Sequence, residues 1–181
     1  MAGYMALTGS AVLVRWDDED IKACLSEELV EDLLNWDRIM VQRQDALRSE
    51  SLFEAGASAW YPVGIGGVFN ALWYMADHWG TGFDVQLKRL PVRQETIEVC
   101  EIREKNPYYM WSDGCWLLAA DHGDRVCEVL KAKGIPAAVI GVLRDDRDKI
   151  LRHDDTVSCL NRPRADELDE YLKENDTLFA F

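Results

Sequence analysis

Three glycines in four positions, Gly64, Gly66 and Gly67, end an apolar run at residues 61–63. They stand ahead of Val68, Leu72, Met75 and Trp79, which recur at helical spacing. A helix N-terminus offers unpaired N–H groups and the positive end of a dipole, and glycines let an anion approach the backbone closely. The chemistry to expect of such a loop is therefore the cradling of a phosphate or carboxylate, with the Asn70 amide one turn on. The spacing G-x-G-G-x-x-N is not the dinucleotide fingerprint G-x-G-x-x-G, and no Lys-Ser/Thr follows to make a Walker A loop. The same glycines also suit a tight turn that lets strand and helix pack closely. On local grounds both readings stand.

Ser112, Asp113 and Gly114, in WSDGCW, form a second turn that enters an apolar run and can present a hydroxyl, a carboxylate and backbone groups to a ligand. Its alternative is an ordinary Asp-Gly turn. The acid pairs Asp17-Asp18, Asp145-Asp146 and Asp154-Asp155 read as solvated caps and turns, because a divalent cation needs oxygens converging from separate elements. His78, His122 and His153 are isolated, and no G-x-S-x-G elbow exists. A zinc site from Cys115, His122 and Cys127 lacks the usual close ligand pairs. No metal site and no catalytic residue is assigned. The seven tryptophans fall in apolar runs and helix faces, as core residues do.

The elements that must position these residues alternate. Residues 6–16, rich in small and β-branched types, predict a strand with a bend at Thr8-Gly9-Ser10. Ser26 caps a helix over residues 27–48 with an apolar stripe at Leu29, Leu33, Trp36 and Met40. Residues 57–63 predict a strand, 68–79 a helix, 82–87 a strand and 92–102 a helix stopped by Asn106-Pro107. A buried strand over 115–121, a helix ending at Gly134 and another strand over 137–143 follow. The polar stretch 144–148 predicts a hairpin turn into two further strands, and a short helix lies around residues 165–173. Strands alternating with helices mean a sheet covered by helices, mixed because of the hairpins, in one domain over 1–181.

With 181 residues, 48% hydrophobic and 29% charged, the chain is long enough for a real core. A net charge of -13 argues against nucleic acid as a partner, since phosphate backbones call for a basic surface. No apolar run reaches the roughly 20 residues of a membrane helix, and the opening residues have no basic segment ahead of an apolar stretch, which argues against a secretory signal. Five cysteines without a C-x-x-C pair fit reduced thiols and a cytoplasmic location.

Residues 64–101, 106–120 and 130–143, in that order, resemble the C-terminal domain of the aminoimidazole ribonucleotide (AIR) synthase-related superfamily, nearest to its hydrogenase-maturation branch. Five features carry the resemblance: Gly66-Gly67, Leu90-Pro91-Val92, Asn106-Pro107, Ser112-Asp113-Gly114, and Gly134 with Ala137 and Ile140-Gly141. It implies an α+β fold, a three-layer α/β/α arrangement with a mixed sheet. It also implies ATP-dependent activation of a substrate oxygen in an enzyme of ligase or phosphotransferase type. ATP and Mg²⁺ would be held mainly by an N-terminal ATP-binding domain that this chain lacks, so the chain alone is expected to be inactive. Gly64, Gly66, Gly67 and Asn70 would line one wall of a nucleotide or small-molecule substrate cleft, and Ser112, Asp113 and Gly114 the other. One departure weighs against a catalytic loop: where the branch carries Asp-x-Thr-Arg before the two glycines, this chain has Pro62, Gly64 and Ile65. The expected partners are the N-terminal domain and the substrate, and a face left open by the absent domain allows a homodimer. The alternatives are a stand-alone ligand-binding or interaction domain that has lost the chemistry, and a small acidic enzyme with a metal site at His122 and Cys127.

Overall fold

A computed structural model describes residues 1–16, 18–42 and 50–174. The helices are α1 (Leu7–Trp16), α2 (Asp18–Cys24), α3 (Glu27–Gln42), α4 (Glu50–Glu54), α5 (Gly67–Trp79), α6 (Gln94–Ile102), α7 (Gly123–Ala132) and α8 (Glu167–Glu174). The strands are β1 (Ala57–Gly64), β2 (Gly82–Gln86), β3 (Ser112–Ala120), β4 (Gly141–Arg144), β5 (Lys149–His153) and β6 (Thr156–Cys159).

β1 and β3 pair antiparallel into a long ribbon, with Trp60 opposite Leu118 and Tyr61 opposite Leu117. Because side chains alternate along a strand, the two faces of the ribbon serve different cores. Trp60, Trp116 and Leu118 face the core built with α1, α3, α6 and α7. Tyr61, Val63, Cys115 and Leu117 face the core built with α5. This is the α/β/α layering that the α+β class implies. The other strands form a sheet in the order β4-β2-β5-β6, mixed because β2 runs parallel to β5. Its Phe83, Val85 and Leu151 join Leu72 and Met75 of α5 in the second core. Fully burying a side chain such as Phe83 contributes about 2–3 kcal/mol.

Local signals place most boundaries. The Ser26 hydroxyl accepts the Leu29 N–H at 3.3 Å, the expected cap of α3. Residues 43–48 of the predicted helix lie outside the described residues, as does Asp17 of the first acid pair. α5 ends at Gly80, in the left-handed region at φ 68°, where the Gly80 and Thr81 N–H groups close onto Asp77 and Ala76 carbonyls.

Three expectations are corrected. Residues 6–16 are not a strand with a bend; Leu7–Trp16 is helix α1, and Thr8, Gly9 and Ser10 lie in its buried first turns. Small residues are what that position requires, since a Cβ on Gly9 would come within 2.4 Å of the Met110 side chain. Tertiary packing outweighs a weak strand propensity here. Residues 137–143 are not one strand either. Ala137 bridges Ala2 beside the ribbon, and the chain then crosses to pair with β2 from Gly141. Finally, residues 144–148 do not close a hairpin, because β2 inserts between β4 and β5.

Candidate functional site

The β1–β3 register sets Gly64 opposite Ser112, so the two turns singled out by sequence meet at one end of the ribbon. Gly64, Gly66 and Gly67 have φ values of 59°, 83° and 67°, left-handed conformations that favour glycine. Their surroundings differ. A Cβ on Gly67 would stand 2.5 Å from the Tyr108 carbonyl oxygen, so packing against the turn Pro107–Tyr109 explains this glycine. A Cβ on Gly66 would strike the Asn70 amide at 2.3 Å. A Cβ on Gly64 would meet nothing within 4 Å. Gly64 thus borders open space, with exposed Ile65 beside it.

Two of the loop's donors already have acceptors, and these come from Arg164 and Asp166, far along the chain. The Gly66 N–H donates to Asp166 Oδ2 at 2.5 Å. Asn70 Nδ2 donates to the Arg164 carbonyl at 2.7 Å, and the Arg164 N–H donates to Asn70 Oδ1 at 3.2 Å. The buried Asp166 carboxylate also accepts the N–H of Leu168 through Oδ1 at 2.9 Å and that of Trp111. Burial pushes its pKa above the ordinary carboxylate value, against the pull of the Gly66, Leu168 and Trp111 N–H groups. An aromatic bed lies beneath, with Phe69 stacked on Tyr108 at 4.5 Å and edge-on to Tyr109 at 5.3 Å. The Arg164 guanidinium sits 4.0 Å from the Tyr109 ring centre and pairs with Glu167.

Ser112, Asp113 and Gly114 are not a turn ahead of the strand but the first residues of β3, and they are largely turned inward. Ser112 is fully buried; its hydroxyl accepts the Ala6 N–H at 2.7 Å and donates to the Met110 carbonyl at 2.8 Å. Gly114, at φ 70°, lies against the backbone of Met40 in α3. Asp113 between them is half-buried. Gly64, Gly66 and Asn70 therefore form one constellation, while Ser112 and Gly114 act next to it as structural clasps. Sequence reasoning missed Asp166 and Arg164. Asp166 ahead of α8 is legible as a helix cap, but its reach to Gly66, across 100 residues, is not.

A cleft of about 520 Å³ opens elsewhere, between the end of β3, the start of α7 and β4, lined in part by Ser58, Asp121, Cys127, Val139 and Val142. Burial pushes the Cys127 thiol up and that of Cys115, fully buried, to about 12, so both stay protonated near neutral pH. Among the described residues no three His, Cys, Asp or Glu side chains converge as a metal site. No helix among them is long and apolar enough to cross a membrane.

No curated protein sequence matches the chain. Solved structures do. The E. coli hydrogenase maturation protein HypE superposes with a TM-score of 0.66 at 19% identity, covering 91% of this chain and 49% of that one. A structure of HypE in complex with ATP gives 0.65 at 14% identity, with 92% and 50% covered. Thiamine-monophosphate kinase from Stenotrophomonas maltophilia gives 0.57 at 16% identity, with 83% and 48% covered. The chain spans about half the length of these proteins, and at such identities the likeness is one of fold. The family model described as "AIR synthase related protein, C-terminal domain" matches residues 2–154. That match takes in nearly all of both cores and the glycine loop, and with it the chain belongs to the AIR synthase-related C-terminal domain family.

Proposed function

We propose that this chain is the C-terminal half of an ATP-using AIR synthase-related enzyme and closes a nucleotide or substrate cleft whose other wall is an N-terminal ATP-binding domain. One observation carries the reading. The Gly66 N–H, in a left-handed turn at the start of α5, already engages an anionic oxygen, that of Asp166. Gly64 beside it borders open space. Backbone donors of residues 64–67, Asn70 and the half-exposed Arg164 guanidinium suit a phosphate, which needs hydrogen-bond donors and positive charge. Mg²⁺ and most of the nucleotide are assigned to the N-terminal domain, as the family resemblance implies. ATP, when bound there, supplies the phosphoryl group; this half orients its anionic end and excludes water. Asp113, half-buried at the start of β3, is the residue of the S-D-G motif that we assign to the cleft lining. Buried free thiols suit a reducing, cytoplasmic setting, and the exposed Val142 and Leu143 of β4 offer a surface for a second domain or copy.

The purified 181-residue chain is expected to hydrolyse no ATP, and turnover is expected once an AIR synthase-related N-terminal domain is supplied in cis or in trans. Sustained hydrolysis by the chain alone would overturn the proposal. The second reading, a binding domain that has lost the chemistry, is favoured by Pro62, Gly64 and Ile65 at the places of Asp, Thr and Arg. It expects no turnover even with the N-terminal domain present.

A further inference from the structure

We infer that the cleft between β3 and β4 is the seat of one further β-strand, an extended apolar segment lying in line with residues 1–3. Its source is the polypeptide that joins this chain to an N-terminal half, so the inference rests on that reading and adds how the halves connect.

Residues 1–3 already act as a short central strand. On one side Ala2 and Trp116 exchange backbone hydrogen bonds at 2.9 and 2.8 Å. On the other side the Met1 nitrogen donates to the Ala138 carbonyl at 2.8 Å, and the Ala138 N–H donates to the Met1 carbonyl at 3.0 Å. Both pairings are antiparallel, through bridges of Ala2 to Trp116 and to Ala137. Past Met1 the two flanks run on, and the space between them is the cleft of about 520 Å³. Leu118 and Ala120 border it on one side, Ala138 and Gly141 on the other.

The backbone there suits a strand. Trp116 turns both its N–H and its carbonyl to Ala2, so those of Leu118, two residues on, point the same way, into the cleft. Among the described residues β3 has no ladder partner on that edge beyond Trp116. β4 is likewise an edge strand, paired with β2 alone. A segment between them, antiparallel to both, would join the two-stranded ribbon and the four-stranded sheet into one continuous sheet.

The lining sets the chemistry of the segment. Val126, Cys127 and Leu130 of α7, from the first core, lie along the cleft. Leu72, Met75 and Trp79 of α5, from the second core, line a smaller cavity that shares Met1, Leu118 and Val142 with it. A strand covered by helices on both faces is apolar at every position, not at alternate ones. Seated there, such a segment also covers Val142 and Leu143, which are otherwise exposed.

The test lengthens the intact chain at its N-terminus by about five residues, a strand's length, in three forms. The first is a run of valine and isoleucine. The second is the same run with proline directly ahead of Met1, opposite Leu118, which removes the N–H that the Leu118 carbonyl would accept. The third is glycine and serine. The apolar form is expected to melt about 5 °C or more above the unextended chain and to slow hydrogen exchange at the Leu118 N–H about tenfold or more. The other two forms are expected to match the unextended chain in both readouts. An apolar form with no gain in either readout overturns the inference, and so does an equal gain in all three forms. Aggregation of the apolar form alone would overturn it too, because a seated strand has no free edge. Neither readout involves ATP. An unfilled cleft therefore leaves the ATP reading intact, whereas failure of turnover with the N-terminal domain overturns that reading and not the seat.

Discussion

The Ser112 hydroxyl accepts the N–H of Ala6 at 2.7 Å, joining the start of β3 to the turn that launches α1. Ala6 has a φ of 58°, uncommon for a residue with a side chain, and the Ser112 bond holds it there. Ser112→Ala would leave a buried N–H and the Met110 carbonyl without this partner. The expected loss is about 2–3 kcal/mol of unfolding free energy, measured by urea denaturation. A loss below about 0.5 kcal/mol would mean that Ser112 is no clasp and is free for another role.

The glycines of the loop separate by substitution. Gly67→Ala drives a methyl into the backbone at Tyr108 and Met110, at a φ of 67°. It is expected to cost about 3 kcal/mol or more, from overpacking and strain together. Gly64→Ala meets open space and bears only the conformational strain of φ 59°, about 1–2 kcal/mol. Thermal unfolding of the two variants checks the order. A Gly64→Ala variant as damaged as Gly67→Ala would place hidden packing at residue 64.

Much of this was legible in the sequence. The glycine turn, the strand at 57–63, α5, α7 and the Ser26 cap follow from period, turn chemistry and capping, which act over a few residues. α1 was not legible, because Gly9 is selected by the close approach of Met110 and Trp111, a contact about 100 positions away. For the same reason the glycine loop reads from sequence while the residues that contact it do not. Asp166 and Arg164 are near in space only after both cores have formed. Periodicity also marks 137–143 as apolar throughout, yet gives no sign that the run passes from one sheet to the other.

Asp84 of β2 accepts from Arg152 Nε at 2.7 Å and from its Nη2 at 2.7 Å, a two-pronged pair between the parallel strands β2 and β5. The Arg152 hydrogen bonds hold the Asp84 carboxyl below its ordinary 3.8. A carboxyl depressed in the folded state contributes stability above the unfolded value and loses it as pH falls through the folded value. With Arg152 38% exposed, solvent screening keeps the contribution small. Asp84→Asn is expected to be less stable than wild type at pH 6. The gap should close as the pH drops below 3.8, as followed by urea midpoints. A gap unchanged between pH 6 and pH 2.5 would show that charge plays no part.

Arg93 lies between the rings of Tyr4, at 5.6 Å, and Trp36, at 5.0 Å, while the buried Glu95 carboxylate accepts from its Nε at 3.1 Å. Through Trp36 and Asp32 the Arg93 guanidinium ties the N-terminus of α6 to α3. Glu95→Ala would leave a guanidinium largely out of water with Asp32, 3.7 Å away, as its remaining carboxylate. The expected cost is roughly 2–3 kcal/mol, under the full figure for breaking a buried pair because Asp32 remains. The double variant Glu95→Ala, Arg93→Met should recover part of that loss, and a cycle of urea midpoints reads the coupling. Additive losses would show that the two side chains act independently.

The five cysteines divide by exposure, and this gives a direct check on both cores. Cys24 and Cys159 are exposed, whereas Cys100, Cys115 and Cys127 are buried. Thiolate is the reactive form, and burial pushes Cys100 and Cys115 up to about 12 and Cys127 in the same direction. An aromatic disulfide reagent at pH 8 is therefore expected to label two thiols promptly and the other three only at the rate at which the fold opens. Since Cys100 and Cys127 belong to the first core and Cys115 to the second, their labelling rates under mild denaturant report the two cores separately. Coincident rates would show that the cores open as one unit. Faster labelling of Cys115 would show that the core under the glycine loop opens first, as a ligand-closing half would require.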